Sequence, residues 1–435
     1  MKHGEKLTFQ ILAIHVIIRP SRMNDRNTMR IFFSVGEPSG DLHGSNLIRD
    51  LQAANPDFEF VGFGGPKMKA AGCELIYDLT QMAVMFLSKV IANLRFFFGL
   101  VDQADEYFAN NKVDAVVLID YPGFNWHVAK KAKARGIPVY YYGVPQMWAW
   151  APWRVRKIRK FVDHVLCKLP FEKQWFEDRN CTATYVGHPY FDQLETQDYD
   201  SEFLQQVGTD LMLPEKKLVL LLPGSRDQEV EKNLPILLEA VQQVSSERPE
   251  ATFAIACYKK KHVAVAQKML DEMSATLPIA IHCERTPELM KLAHICMACS
   301  GSVSLELLHH RKPTVIVYKV KRWVMVAQSI LLRTKFITLT NLIATEDIRK
   351  RTWAPSDPRV EEMVMPEYLS VASPAKRVAE DVVRWLADES LFHQNVNRLD
   401  ELAKKYAKPG ATKRAAEYLL ESLGVENHSV RRDAA

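Results

Sequence analysis

An apolar run that empties into a glycine-bearing turn and then an amphipathic stretch occurs in both halves of this chain. Met29-Arg-Ile-Phe-Phe33 leads into Ser34-Val-Gly-Glu-Pro-Ser-Gly-Asp41 and a helical pattern from Leu42 to Ala54. Lys217 to Leu222 leads into Pro223-Gly-Ser-Arg-Asp-Gln-Glu229 and a second helical pattern. A strand that is apolar along nearly its whole length is buried on both faces, which places it in a parallel sheet covered by helices. The turn after it presents backbone N–H groups at a helix start, an arrangement suited to anions. Two such units predict two α/β domains facing one another, with a large polar substrate pair between them.

The intervening sequence supports this. Apolar strands are expected at Phe58–Phe63, Ala115–Ile119, Pro138–Tyr142 and Val162–Cys167, then near 218–222, 252–257, 279–282, 294–298 and 314–318. Strands alternating with helices at this rhythm predict doubly wound parallel sheets. A chain of 435 residues suffices for two cores of ordinary size. The expected domains are 29–200 and 210–373, joined through a polar stretch, followed by C-terminal helices over 374–426 and a disordered tail over 427–435. Residues 1–28 read as a dispensable extension: Leu7 to Ile18 is apolar but carries Gln10 and His15, and it is too short to span a bilayer. No clean membrane-spanning run occurs elsewhere. A net charge of +5 does not by itself imply nucleic acid. The seven cysteines lack a C-x-x-C spacing, so neither a zinc knuckle nor a disulfide framework is indicated, and a reducing compartment fits them.

Ligands of open α/β sheets bind beyond the carboxyl ends of the strands. That rule selects the loops at 35–41, 120–125, 143–150, 187–189, 223–229 and 299–306. Gly224-Ser225-Arg226 and Ser300-Gly301-Ser302 both follow apolar strands; their glycines allow close backbone approach and Arg226 can clamp a phosphate. Glu306 can accept sugar hydroxyls. Together these suggest a nucleotide diphosphate, against the plain alternative of helix capping. No Gly-x-Gly-x-x-Gly opens a helix with an acid at the right spacing, and no Walker loop is present, which argues against a dehydrogenase and an ATPase. Asp120 ends a buried strand and is either a turn acid or a base. Glu37, Ser39 and Asp41 share the rim of the first unit, one acid capping the helix and the other contacting sugar. His188, in Gly187-His-Pro189, either touches ligand or packs.

Val144-Pro-Gln-Met-Trp-Ala-Trp-Ala-Pro-Trp153 gathers Gln146, Trp148, Trp150 and Trp153 in one loop, followed by Arg154, Arg156, Lys157, Arg159 and Lys160. A packed edge with a solvated basic helix, a nucleic-acid surface and an anionic lipid surface all fit; without an RNA or DNA module around it, lipid is the best of the functional readings. The apolar segment 81–100, with Met85-Phe86-Leu87 and Phe96-Phe97-Phe98, is either core helix or a receptacle for acyl chains.

Taken in order, these blocks resemble the lipid-A-disaccharide synthase family over Met29 to about Leu423. The matching stretches are Gly36-Glu-Pro-Ser-Gly-Asp41, Gly62-Phe-Gly-Gly-Pro-Lys-Met68, Ile119-Asp-Tyr-Pro-Gly-Phe-Asn125, Pro145-Gln-Met-Trp-Ala-Trp150 and Leu169-Pro-Phe-Glu172. Gly187-His-Pro189, Leu222-Pro-Gly-Ser-Arg226, Ser300-Gly-Ser-Val-Ser-Leu-Glu306, Leu339-Thr-Asn-Leu342 and Pro366-Glu367 complete the series. The chain departs from the family pattern at Pro38, Gly123, Gln146, Ala151 and Ser302; Gly123 in place of an acid leaves Asp120 as the only acid of its loop.

The resemblance implies a GT-B architecture of two facing Rossmann-like domains and an inverting glycosyltransferase that needs neither cofactor nor metal. The implied substrates are UDP-2,3-diacylglucosamine and 2,3-diacylglucosamine 1-phosphate, joined as a β-1,6 disaccharide with release of UDP. The implied location is the cytoplasmic face of the inner membrane, in peripheral contact with an anionic surface and without nucleic acid; some members form dimers by exchanging C-terminal segments. By position, Asp120, Glu37 and Asn341 match residues associated with activity. Gly224, Ser225, Arg226, Ser300, Gly301, Ser302 and Glu306 fall on the UDP side, and Ser39, Asp41, Gln146, Trp148, Trp150 and His188 on the acceptor and lipid side. The rivals are another UDP-N-acetylglucosamine enzyme of the same fold, such as an epimerase, and a non-catalytic nucleotide-sugar or nucleic-acid binding protein.

Overall fold

The computed structural model describes residues 28–81, 94–273, 277–349 and 363–425. The N-terminal extension, Met85-Phe86-Leu87 and the tail lie outside the described residues. The strands form two parallel sheets flanked by helices. By proximity along the backbone the chain separates into two compact units, one built on residues up to Pro138 and the other on Val139–Val425.

In the first unit, β1 (Arg30–Val35), β2 (Glu59–Gly64), β3 (Cys73–Asp78) and β4 (Ala115–Ile119) lie parallel in the order β3-β2-β1-β4. β1 and β4 are the apolar runs of the sequence: every β4 side chain is buried, as is every β1 side chain after Arg30. Phe32 of β1 packs edge to face on Phe63 of β2 at 5.6 Å, and Phe63 in turn on Phe124 at 5.3 Å. Strand order reverses between β1 and β4, and a crevice opens at such a switch point.

The second unit begins with β5 (Val139–Tyr142), β6 (His164–Cys167) and β7 (Ala183–Tyr185), parallel in that order. It continues with β8 (Lys217–Leu222), β9 (Ala251–Cys257), β10 (Ile279–Cys283), β11 (Ile295–Cys299), β12 (Thr314–Lys319) and β13 (Glu367–Ser370). These six are parallel in the order β10-β9-β8-β11-β12-β13, so a second switch point falls between β8 and β11. Buried Asn233, on the helix Asp227–Glu247, pins this edge of the sheet. Its amide donates to the Pro223 carbonyl at 3.3 Å and the Cys299 sulfur at 3.2 Å, and accepts from the Lys319 N–H at 3.1 Å, joining the ends of β8, β11 and β12.

The start of the helix Ala411–Ser422 is held by a single carboxylate. Asp192 accepts from the N–H groups of Gly410 at 2.6 Å, Ala411 at 3.0 Å and Thr412 at 2.9 Å, and from the Thr412 hydroxyl at 2.6 Å. These are donors a helix start leaves unpaired, and a negative charge suits them. Arg414 donates to the Val186 carbonyl, and hydrogen bonds between Tyr418 and His164 and between Tyr140 and Ser422 seat the rest of the helix. Among the described residues no helix is long and apolar enough to cross a membrane.

Candidate functional site

The turns that leave β8 and β11 close on one cavity of ≈ 870 Å³. Gly224 holds φ at +129°, in the region that favours glycine, and the turn wraps around the carboxylate of Glu229. That carboxylate accepts from the backbone N–H groups of Ser225 and Arg226, each at 3.2 Å, and from the Arg226 guanidinium at 2.9 Å. The Arg226 side chain is 81% exposed, so its cation stands at the cavity mouth while its backbone is fixed. Next to it Asp227 pairs with Lys261 and with His262 at 3.0 Å; those two partners hold its carboxyl down at about 2. On the other side of the switch point Ser300, Gly301 and Ser302 open the short helix Val303–His309, and the Ser304 hydroxyl closes the turn onto the Gly301 carbonyl at 3.0 Å. Gly224, Ser225, Arg226, Ser300, Gly301, Ser302 and Glu306, taken from two distant stretches of sequence, all line this cavity.

Glu306 is only 6% exposed. Burial pushes its carboxyl pKa upward, and the Tyr190 hydroxyl, donating to Oε2 at 2.8 Å, works against that rise. The cavity continues past residues that the sequence reading did not nominate: Tyr190, Gln193, Gln197, Tyr258, Lys259, Glu284 and Thr286. Tyr258 and Lys259 follow β9, and Glu284 follows β10, so the strand-end rule that found the β8 and β11 loops would have found these too.

In the first unit the β1/β4 switch point carries a strained turn. Asp120 and Tyr121 are consecutive non-glycine residues with φ of 46° and 41°. Each such residue costs roughly 1–3 kcal/mol and persists only when its surroundings enforce it. Buried Asn125 supplies that enforcement: its amide donates to the carbonyls of Ser34, Ile119 and Asp120, and accepts from the Ser34 hydroxyl at 2.6 Å. The Tyr121 ring fills the space where a β-carbon on Gly36 would stand. Burial, and the nearby Glu37 charge, raise the Tyr121 phenol pKa. Asp120, Tyr121 and Glu37 are thus gathered at the strand ends, with Ser39 exposed on the following helix.

Other nominated residues are taken up by the fold. Asp41 is buried and accepts from the backbone of Gly65, Lys67 and Met68 at 2.9–3.0 Å, so it is the acid that caps, though it caps the helix Pro66–Ala70 rather than its own. Asn341 is fully buried: Oδ1 accepts from Val364 and Met365, and Nδ2 donates to the Met365 carbonyl and to Glu367. Trp148 is buried with its indole N–H on Glu172 at 2.9 Å. His188 accepts from the Tyr190 N–H at 3.2 Å. Gln146 and Trp150 are exposed, and the Arg154 guanidinium lies 4.3 Å from the Trp150 ring centre.

The lipid-A-disaccharide synthetase family profile matches residues 31–404. Lipid-A-disaccharide synthase of Myxococcus xanthus is 32% identical over 398 residues, spanning 91% of this chain and 98% of that protein. Among solved structures, a putative UDP-N-acetylglucosamine 2-epimerase from Listeria monocytogenes superposes with a TM-score of 0.61 at 11% identity, covering 91% of this chain and 97% of that one. The calicheamicin glycosyltransferase CalG4 superposes with a TM-score of 0.54 at 14% identity, covering 92% and 99%. At these identities the solved structures establish the two-domain α/β fold, which epimerases and glycosyltransferases share.

Proposed function

The chain belongs to the lipid-A-disaccharide synthetase family, and we propose that it transfers 2,3-diacylglucosamine from UDP-2,3-diacylglucosamine to 2,3-diacylglucosamine 1-phosphate. The observation that carries this reading at the level of the site is the convergence of the β8 and β11 turns, with Glu306, on one cavity. There the diphosphate lies against Arg226 and the backbone around Gly224 and Ser302, while Glu306 accepts ribose hydroxyls. As the bond from the anomeric carbon to the diphosphate oxygen breaks, its electron pair passes to UDP, and cationic and N–H donors already in place stabilise that charge.

Asp120 is assigned as the base. It takes the proton of the acceptor 6-hydroxyl as that oxygen bonds the anomeric carbon from the opposite face, which inverts the configuration. The support is its conformation: a carboxylate held at φ 46° by a buried amide is strained, and strain of this kind gathers at working sites. Glu37 lies on the same strand ends as a second acid for the acceptor. Asp41, Asn341 and Trp148 act through the fold.

Acylated substrates lie in a bilayer, so the enzyme needs a surface that reaches one. Trp150 and Trp153 are 42% and 55% exposed, beside the basic run Arg154 to Lys160. The helix Arg322–Leu331 carries Trp323 and Val326, 69% and 60% exposed, and the Arg333 N–H behind it donates to the Ala149 carbonyl at 2.6 Å. Indoles favour the headgroup zone and basic side chains favour anionic lipid. These residues form the proposed peripheral contact with the cytoplasmic face of the inner membrane.

The test is to incubate purified protein with both acylated substrates and look for the disaccharide 1-phosphate by mass spectrometry. Absence of product at every acyl length overturns the reading. A parallel incubation with UDP-N-acetylglucosamine alone tests the epimerase rival. Flotation with phosphatidylglycerol vesicles, but not with neutral ones, is expected for the proposed membrane surface.

A further inference from the structure

We propose that Tyr190 is a positioning residue of the donor site: its hydroxyl holds the Glu306 carboxylate in the orientation that receives the nucleotide's ribose. This rests on reading the β8/β11 crevice as the nucleotide site. A carboxylate that is 6% exposed needs a hydrogen-bond partner, and among the described residues the structure shows the Tyr190 hydroxyl in that role, donating to Oε2 at 2.8 Å. An ionised carboxylate offers about four lone-pair sites. Tyr190 occupies one of them and sets the plane of the group, leaving acceptor capacity for ligand hydroxyls. Both residues line the same cavity, so the bond is made at the ligand's wall.

The helix that carries Tyr190 is Tyr190–Glu195, six residues long and too short to hold itself in place. Three successive residues anchor it in different ways. Tyr190 reaches Glu306. Phe191, 2% exposed, packs in the same apolar cluster as Leu305, the residue before Glu306 on its own helix. Asp192 holds the start of the C-terminal helix Ala411–Ser422 through four hydrogen bonds. The orientation of Glu306 is therefore tied, through one short helix, to the seating of the C-terminal helix.

The test compares Tyr190→Phe, Glu306→Gln and Asp192→Ala with the parent protein, measuring the dissociation constants of UDP and of 2′,3′-dideoxy-UDP by calorimetry. Loss of a hydrogen bond to a charged acceptor should weaken UDP binding about tenfold in Tyr190→Phe. The same variant should bind dideoxy-UDP as the parent does, and in turnover the loss should fall on KM rather than kcat. Asp192→Ala should shift in the same direction by a smaller factor. Because each comparison is a ratio of two ligands on one protein, it does not depend on the fraction that folds. Equal weakening of both ligands in Tyr190→Phe would mean a general structural role, and parent-like binding of both would remove Tyr190 from the site; either overturns the proposal. If Glu306→Gln also leaves the ratio unchanged, the ribose assignment of Glu306 fails, and Tyr190 fails with it for that separate reason.

Discussion

Gly224 and Glu229 leave no room for a side chain between them. A β-carbon on Gly224 would stand 2.5 Å from the β-carbon of Glu229 and 2.9 Å from its Oε2. The same carboxylate fixes the N–H groups of Ser225 and Arg226, so the shape of the turn and the placement of the Arg226 cation are one arrangement. Gly224→Ala must displace Glu229 and also strains a backbone at φ +129°. Its expected outcome is a loss of UDP affinity of about tenfold or more by calorimetry, with secondary structure unchanged by circular dichroism. Parent-like affinity would show that the turn does not shape the site.

Arg226→Ala removes the cation and leaves the turn. Deleting one preorganised donor to a developing negative charge costs roughly 2.7–4 kcal/mol, so kcat is expected to fall by about two to three orders of magnitude. The check is steady-state turnover on the acylated substrates, and full activity would refute the assignment to the leaving group.

Asp120→Asn separates charge from backbone, because Asn is among the non-glycine residues that best tolerate positive φ. With Asp120 as base, turnover should drop by about 10²–10⁴ while UDP affinity stays near the parent value. Near-normal turnover would reduce Asp120 to a turn residue.

Asn341 gives the opposite expectation. Its side chain serves two backbone donors, the Met365 carbonyl and the Glu367 carboxylate, all in the interior. Glu367 itself accepts from the N–H groups of Ile337 and Thr338, each at 2.9 Å. Asn341→Ala leaves several buried polar groups unpaired, each worth about 1–3 kcal/mol. Urea unfolding should register a destabilisation of ~3 kcal/mol or more. An unchanged midpoint would return Asn341 to the candidates for chemistry.

His294 supplies a pH dependence. Burial, with Lys217 and Lys312 nearby, lowers its pKa to about 4, and its ring stacks on Phe392 with centres 4.0 Å apart. The unfolded chain therefore binds a proton at His294 between its ordinary value of 6.5 and about 4, where the folded protein does not. This contribution is complete above pH 6.5 and is lost as pH falls through that window. Burial raises the carboxyls of Glu172, Glu306 and Glu367, which acts in the opposite sense, so the comparison must be between variants. His294→Phe should lose less thermal stability than the parent on going from about pH 7.5 to about pH 5. Parallel losses would exclude His294 as a contributor.

The sequence made central strands legible and three of the four edge strands obscure. β1, β4, β8 and β11 are buried almost throughout, so their runs stand out. β3, β7 and β13 each end a row of strands and are mostly half-exposed, with mixed residues that show no clean period, and none was anticipated; β10 also ends a row and is half-buried, but its Ile-Ala-Ile run was legible. At the site, the turns after β8 and β11 announced themselves through glycines and hydroxyls. Tyr190 did not, because its role depends on a bond to a residue far away in sequence, and no local pattern records that. Conversely Asp41 and Asn341 look like functional polar residues in sequence, while the structure shows each spending its side chain on backbone groups or on a buried neighbour. A polar residue in a recognisable block can hold the block's shape as readily as perform its chemistry.

The Tyr121 ring standing in the place of a Gly36 side chain has a consequence for how this sequence can drift. The two positions, one after β1 and one after β4, share a single volume. Enlarging residue 36 alone collides with the ring, and shrinking residue 121 alone opens a void beside Asp120. Neither step is neutral by itself, so the pair should vary together among descendants of this chain or not at all.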